Sequence, residues 1–174
     1  MSMTKEEKEN RIKTSKYFLY RLNEIENELN NKIKELDYLE KEGRPAGYKK
    51  DVSINEITIQ QSKKNFTAEI LFKDYEEKIN QVKLEIEKLE NQYKSNRILL
   101  NKIENFQEEY FLKSLFIYKL PKSDIKKIFK IKSNNDFDSV LNNALISFSY
   151  ILENEFKKKI PKNNLNIGKE IKTE

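Results

Sequence analysis

The chain has 174 residues, 37% apolar and 36% charged, with a formal net charge of +5. Three Gly and three Pro are too few to punctuate an all-β or α/β fold, so an all-α chain is expected, a small domain joined to long helices. With no Cys and no His, disulfide scaffolds, thiolate chemistry and the common His/Cys zinc sites are excluded, as is the side chain most used for proton transfer near neutral pH.

The start, MSMTKEEKEN, is polar and mixed in charge, and no stretch approaches the ~18 apolar residues of a membrane-spanning helix. A cytoplasmic protein with no membrane association is the expectation. The first periodic signal is Phe18, Leu22, Ile25, Leu29, Leu36 and Leu39, which occupy a and d positions of one heptad frame. Lys32 breaks the frame, and Ile33 beside it is a substitute. A helix over residues 4–42, stopped by Gly43 and Pro45, follows. Residues 43–61 (GRPAGYKKDVSINEITIQQ) read as a turn and then an extended linker. Phe72, Tyr75, Ile79, Val82, Ile86, Leu89, Tyr93, Leu100 and Ile103 then alternate by threes and fours, missing only Asn96. A helix of that length needs a partner, which is either the first helix folded back antiparallel or a second copy of the chain; the antiparallel hairpin is preferred, because Tyr at core positions fits a simple parallel dimer poorly.

From Asn105 the apolar residues become denser than a two-helix seam requires. Three helices are expected at 105–118, 121–130 and 136–156, with Pro121 in the first turn of the second and a polar break at 132–136. The third carries the stripe Phe137, Val140, Leu141, Ala144, Leu145, Phe148, Ile151 and Leu152. The tail from Pro161 reads as polar and flexible. The predicted architecture is therefore a coiled-coil helical hairpin over 4–104, a helix-turn-helix domain over 105–160 and a tail over 161–174.

The run from Leu120 to Ile131 (LPKSDIKKIFKI) resembles the second helix and turn of sigma-factor region 4, and Ser139–Leu145 (SVLNNAL) is similar to that family's recognition helix. In layout, residues 15–155 resemble phage late-transcription regulators of the RinA and ArpU types, although the motif itself covers only 120–148. The resemblance implies a DNA-associated transcription regulator, encoded by a phage or mobile element, whose hairpin contacts RNA polymerase or another protein or forms a homodimer. The chain departs from the family in two places. Lys126 and Lys130 stand where Ala and Gly are usual in the turn region, and Asp138, Val140, Asn143, Ile146 and Ser147 stand where basic residues are usual.

Charge fits this partly. Residues 119–132 hold six Lys against Asp124, and a second cluster comprises Lys157–Lys159 with Lys162. On a helical wheel, the face opposite the apolar stripe carries Asn135, Ser139, Asn142, Ile146 and Ser149, with no positive charge. The expected division of labour is phosphate contact by Lys119, Lys122, Lys126, Lys127, Lys130 and Lys132, and base-edge contact by Asn134, Asn135, Ser139 and Asn142. Ile146, alone and exposed on the polar face, is the candidate protein contact. Two other readings stay open: a protein-binding adaptor or inhibitor whose helix-turn-helix no longer binds DNA, and a structural coiled-coil component of a larger assembly. No paired carboxylates, Gly-rich phosphate loop or metal-ligand spacing stands out, so no catalytic residue, cofactor or metal is expected.

Overall fold

A computed structural model of the chain describes residues 3–46 and 64–159. Helix is the only regular structure among them, so the chain is all-α as its composition requires. The first helix, α1 (Lys5–Lys41), opens on a reciprocal cap: the Glu7 N–H donates to Thr4 Oγ1 at 3.2 Å and the Thr4 N–H donates to the Glu7 carboxylate at 2.7 Å. That backbone hydrogen bond holds the Glu7 carboxyl below the usual carboxylate range. At the other end the Glu42 and Gly43 N–H groups both donate to the Tyr38 carbonyl. A Cβ at Gly43 would stand 3.2 Å from Leu39 Cα, which favours Gly at this stop. The extended segment expected at 43–61 lies outside the described residues from position 47 onward, and so does the tail from Pro161.

The second helix, α2 (Lys64–Ile98), tightens into a 3-10 turn at Leu99–Lys102. Then come α3 (Phe106–Leu112), which continues as a single π turn over Lys113–Ile117, α4 (Lys122–Ile128) and α5 (Asn134–Lys159). The helix expected at 105–118 is thus α-helical only over its first half. No described helix is long and apolar enough to cross a membrane.

The described residues form two compact units, one drawn from 24–94 and the other from 1–23 with 95–174. In the first unit α1 and α2 run antiparallel, because partners that rise along one helix fall along the other. Tyr93 Oη donates to Glu26 at 3.3 Å, Lys32 Nζ meets Glu85 at 2.8 Å, and Tyr75 Oη donates to the Leu39 carbonyl at 2.6 Å. Leu39, Tyr75 and Val82 are buried in the seam, flanked by Leu36, Ile79 and Ile86. Ile33 does not replace Lys32. It is exposed, while Lys32 stays half-buried at the seam between Glu85 and Glu35. The long side chain can keep its stem on apolar surface and still reach two carboxylates, so the frame is not broken there.

The second unit has two adjoining cores. The larger joins Leu19, Leu100, Ile103, Leu112, Phe116, Ala144, Leu145, Phe148 and Leu152. Leu100 and Ile103, in the same heptad frame as α2, pack here instead of in the seam, because the 3-10 turn changes the helical phase after Ile98. On α1 the inward residues are Ile12, Ser15 and Leu19, and Phe18, where the expected frame begins, packs beside them on the same core. Ser15 is fully buried and its hydroxyl donates to the Leu145 carbonyl at 2.7 Å, which removes the cost of burying it. The division therefore falls at 23/24 and 94/95, not at the 104/105 boundary expected. The ends of the two long helices supply apolar surface on which the C-terminal helices pack. The smaller core, Phe111, Ile125 and Phe137, ties α3, α4 and α5 together, with Phe111 5.0 Å from the Phe129 ring and 5.1 Å from the Phe137 ring.

Candidate nucleic-acid interface

Pro121 ends up at the cap of α4, one residue before its expected place in the first turn. Its carbonyl accepts from the Asp124 and Ile125 N–H groups, so the helix begins without needing a donor from the proline. The other end of α4 closes with two backbone bonds: Ile131 N–H to the Lys126 carbonyl at 2.8 Å, and Lys130 N–H to the Lys127 carbonyl at 3.2 Å. This double closure places the intervening residue in the left-handed region, and Lys130 has φ 54°. Lys119, between the π turn and α4, has φ 52°.

Three residues later α5 starts on a second reciprocal cap. The Asp136 N–H donates to Ser133 Oγ at 3.0 Å and the Ser133 N–H donates to Asp136 at 3.3 Å. Of residues 132–136, expected as a polar break, Ser133 is the cap and 134–136 are the first turn of the helix. The Ser-x-x-Asp spacing was the available signal. Starting at Asn134 instead of 136 brings both Asn134 and Asn135 onto the first turn.

Side chains pair across the turn. Lys126 Nζ donates to Asn134 Oδ1 at 2.7 Å. One helical turn away on each helix, Lys122 Nζ lies 3.5 Å from Asp138 Oδ1 and 4.4 Å from the centre of the Phe137 ring. Lys127 lies 3.6 Å from Asp124 on its own helix, and Lys130 and Lys132 are exposed. The six lysines are therefore not equivalent: Lys122 already faces an anion, whereas Lys126 is held by a neutral amide that leaves its charge uncompensated. Along the outer side of α5, Asn135 and Ser139 are exposed and Asn142 is half-buried.

Beyond Asn142 the surface changes. Ile146 is half-buried, contrary to its expected exposure, and Ser149 is buried. Ser149 Oγ accepts from Arg11 at 3.2 Å and donates to the Ile146 carbonyl at 2.6 Å. The same guanidinium reaches Glu153 at 3.1 Å and stands 4.0 Å over the Tyr150 ring. Glu153 accepts from Lys157 and from Arg11, and these bonds hold its carboxyl below the usual range. The first turns of α1 thus cover the C-terminal half of a face that a wheel of α5 alone leaves open, and the accessible part is its first two turns. Of the second basic cluster, Lys157 is committed to Glu153, and the side chains of Lys158, Lys159 and Lys162 fall outside the description.

Comparison with protein-family models, curated proteins and solved structures found no match. The site is basic and amide-bearing. Its ammonium groups suit phosphate oxygens, and its neighbouring amides and hydroxyl suit base edges. Among the described residues no group of three His, Cys, Asp or Glu could hold a metal ion.

Proposed function

We propose that the chain is a DNA-associated regulator of transcription in which α4 and α5 form a helix-turn-helix resembling sigma-factor region 4. The observation that carries this reading is the Lys126–Asn134 bond, which sets a phosphate-type cation directly beside the start of an exposed amide-bearing helix. The left-handed Lys130 supports it too, since region 4 usually has Gly at this point of the turn and Gly is the residue such a conformation favours. In this reading α4 grips backbone phosphate and α5 lies towards the major groove. The antiparallel pair over 24–94 serves as the hairpin for a protein contact, with RNA polymerase, another protein or a second copy.

The test is the salt dependence of binding to duplex DNA. Affinity should fall linearly on a log–log plot, with a slope of roughly −0.9 per phosphate neutralised. Lys126→Glu with Lys127→Glu should weaken binding and flatten the slope by about two. Absent or salt-insensitive binding, unaffected by the double substitution, contradicts the proposal.

One observation favours the adaptor reading instead. Phe106, 72% exposed, stacks on Tyr110 at 6.0 Å, and Tyr110 lies 5.7 Å from Phe129, an aromatic ladder open to solvent on the same unit. Under that reading affinity capture from a host lysate returns the same partner with and without nuclease.

A further inference from the structure

We infer that the surface at the start of α5 selects adenine in A·T pairs, with Asn135 as the specificity-determining side chain. The inference rests on the DNA-binding reading above. Asn134, Asn135 and Ser139 occupy the first two turns of α5, next to Lys126, with Asn142 and the exposed Asn143 a further turn away from that cation, and the structure separates their roles. Bidentate recognition of adenine needs one amide to accept from N6 and donate to N7 together. Of the two amides on the first turn, Asn134 is the less suited, because one lone pair of its oxygen already accepts from Lys126 Nζ at 2.7 Å, which fixes the amide's orientation. Asn142 is half-buried, and Ser139 has a hydroxyl too short for a fork. Asn135 is exposed, and its amide has no hydrogen-bond partner among the described residues.

Its surroundings weigh against the other bases. Guanine is read by Arg or Lys; the chain's four Arg (Arg11, Arg21, Arg44 and Arg97) all precede α3, and in this reading the neighbouring lysines are engaged with phosphate. Asp138, the side chain that could accept from cytosine N4, is turned towards Lys122 on α4. The Lys126–Asn134 bond has a second effect. It fixes Lys126 beside the helix start, so that docking of this ammonium on phosphate sets how deeply Asn135 enters the groove.

The experiment uses the full chain and three duplexes of equal length: one all A·T, one all G·C, and one all A·T with 7-deazaadenine replacing adenine. The 7-deaza base removes only the N7 acceptor and leaves pairing and the minor groove intact. The expected result is about tenfold tighter binding of the A·T duplex than of the other two, with the differences abolished in Asn135→Ala. Asn135→Ala should keep the wild-type salt slope, which shows that the variant still folds and grips phosphate. Equal binding of all three duplexes overturns the inference and leaves the DNA-binding reading standing. An A·T preference that survives 7-deaza substitution or Asn135→Ala also overturns it, since groove shape would then be the source. Failure to bind any duplex overturns the inference together with the reading beneath it.

Discussion

Lys130 occupies a turn conformation that Gly adopts more easily. A side chain at φ 54° costs about 1–2 kcal/mol relative to the right-handed region, and Gly would avoid most of that cost. Lys130→Gly should therefore stabilise the protein by about 1 kcal/mol, seen as a higher urea midpoint at unchanged m-value. If the ammonium also meets phosphate, the same variant should bind duplex DNA less tightly, with a salt slope shallower by about one. A stabilised variant with unchanged DNA binding would assign Lys130 to the turn alone. Local features of this kind were legible in the sequence where the signal is short-range: Thr4 with Glu7 and Ser133 with Asp136 are both capping spacings. Ser149 was not legible. Its burial depends on Arg11, 138 positions away, and a helical wheel of α5 holds no information about that contact.

At the scale of the elements, the pairing of α1 with α2 over 24–94 depends on a thin seam crossed by Lys32. Its ammonium is pushed up above the ordinary lysine range by hydrogen bonds to Glu85 and then Glu35. The Glu85 carboxyl is lowered from 4.5, chiefly because it accepts from Lys32 and from Gln81. A depressed carboxylate stabilises the fold above its unfolded pKa, and the contribution is lost as pH falls through the lower folded value. Thermal stability should therefore drop on acidification from about pH 6 to about pH 3, and drop less in Lys32→Leu, which has no charge to pair. An equal drop in both proteins would mean that the bridge is immaterial to stability. The helices themselves were legible because heptad spacing is a property of the chain. The 3-10 turn at Leu99–Lys102 was not, since nothing in the alternation of apolar residues marks the change of phase that redirects Leu100 and Ile103.

Across the whole molecule, charge and apolar density separate. Residues 1–60 balance basic against acidic side chains, whereas the positive excess lies after residue 105. The division into two units cuts across the long helices, because α1 gives Ile12, Ser15 and Leu19 to one unit and Leu36 and Leu39 to the other. Heptad periodicity alone assigns all of α1 to the hairpin, because it hardly changes along the helix. What changes is the partner it faces. We propose that α4 and the first turns of α5 form the surface that meets DNA. Backbone amide chemical shifts of the full 20.9 kDa chain, followed as duplex DNA is added at low salt, test it most directly. The expected shifts cluster at 119–142 and reverse as salt is raised, with residues 24–94 undisturbed. Shifts confined to 24–94, or none anywhere, would contradict it.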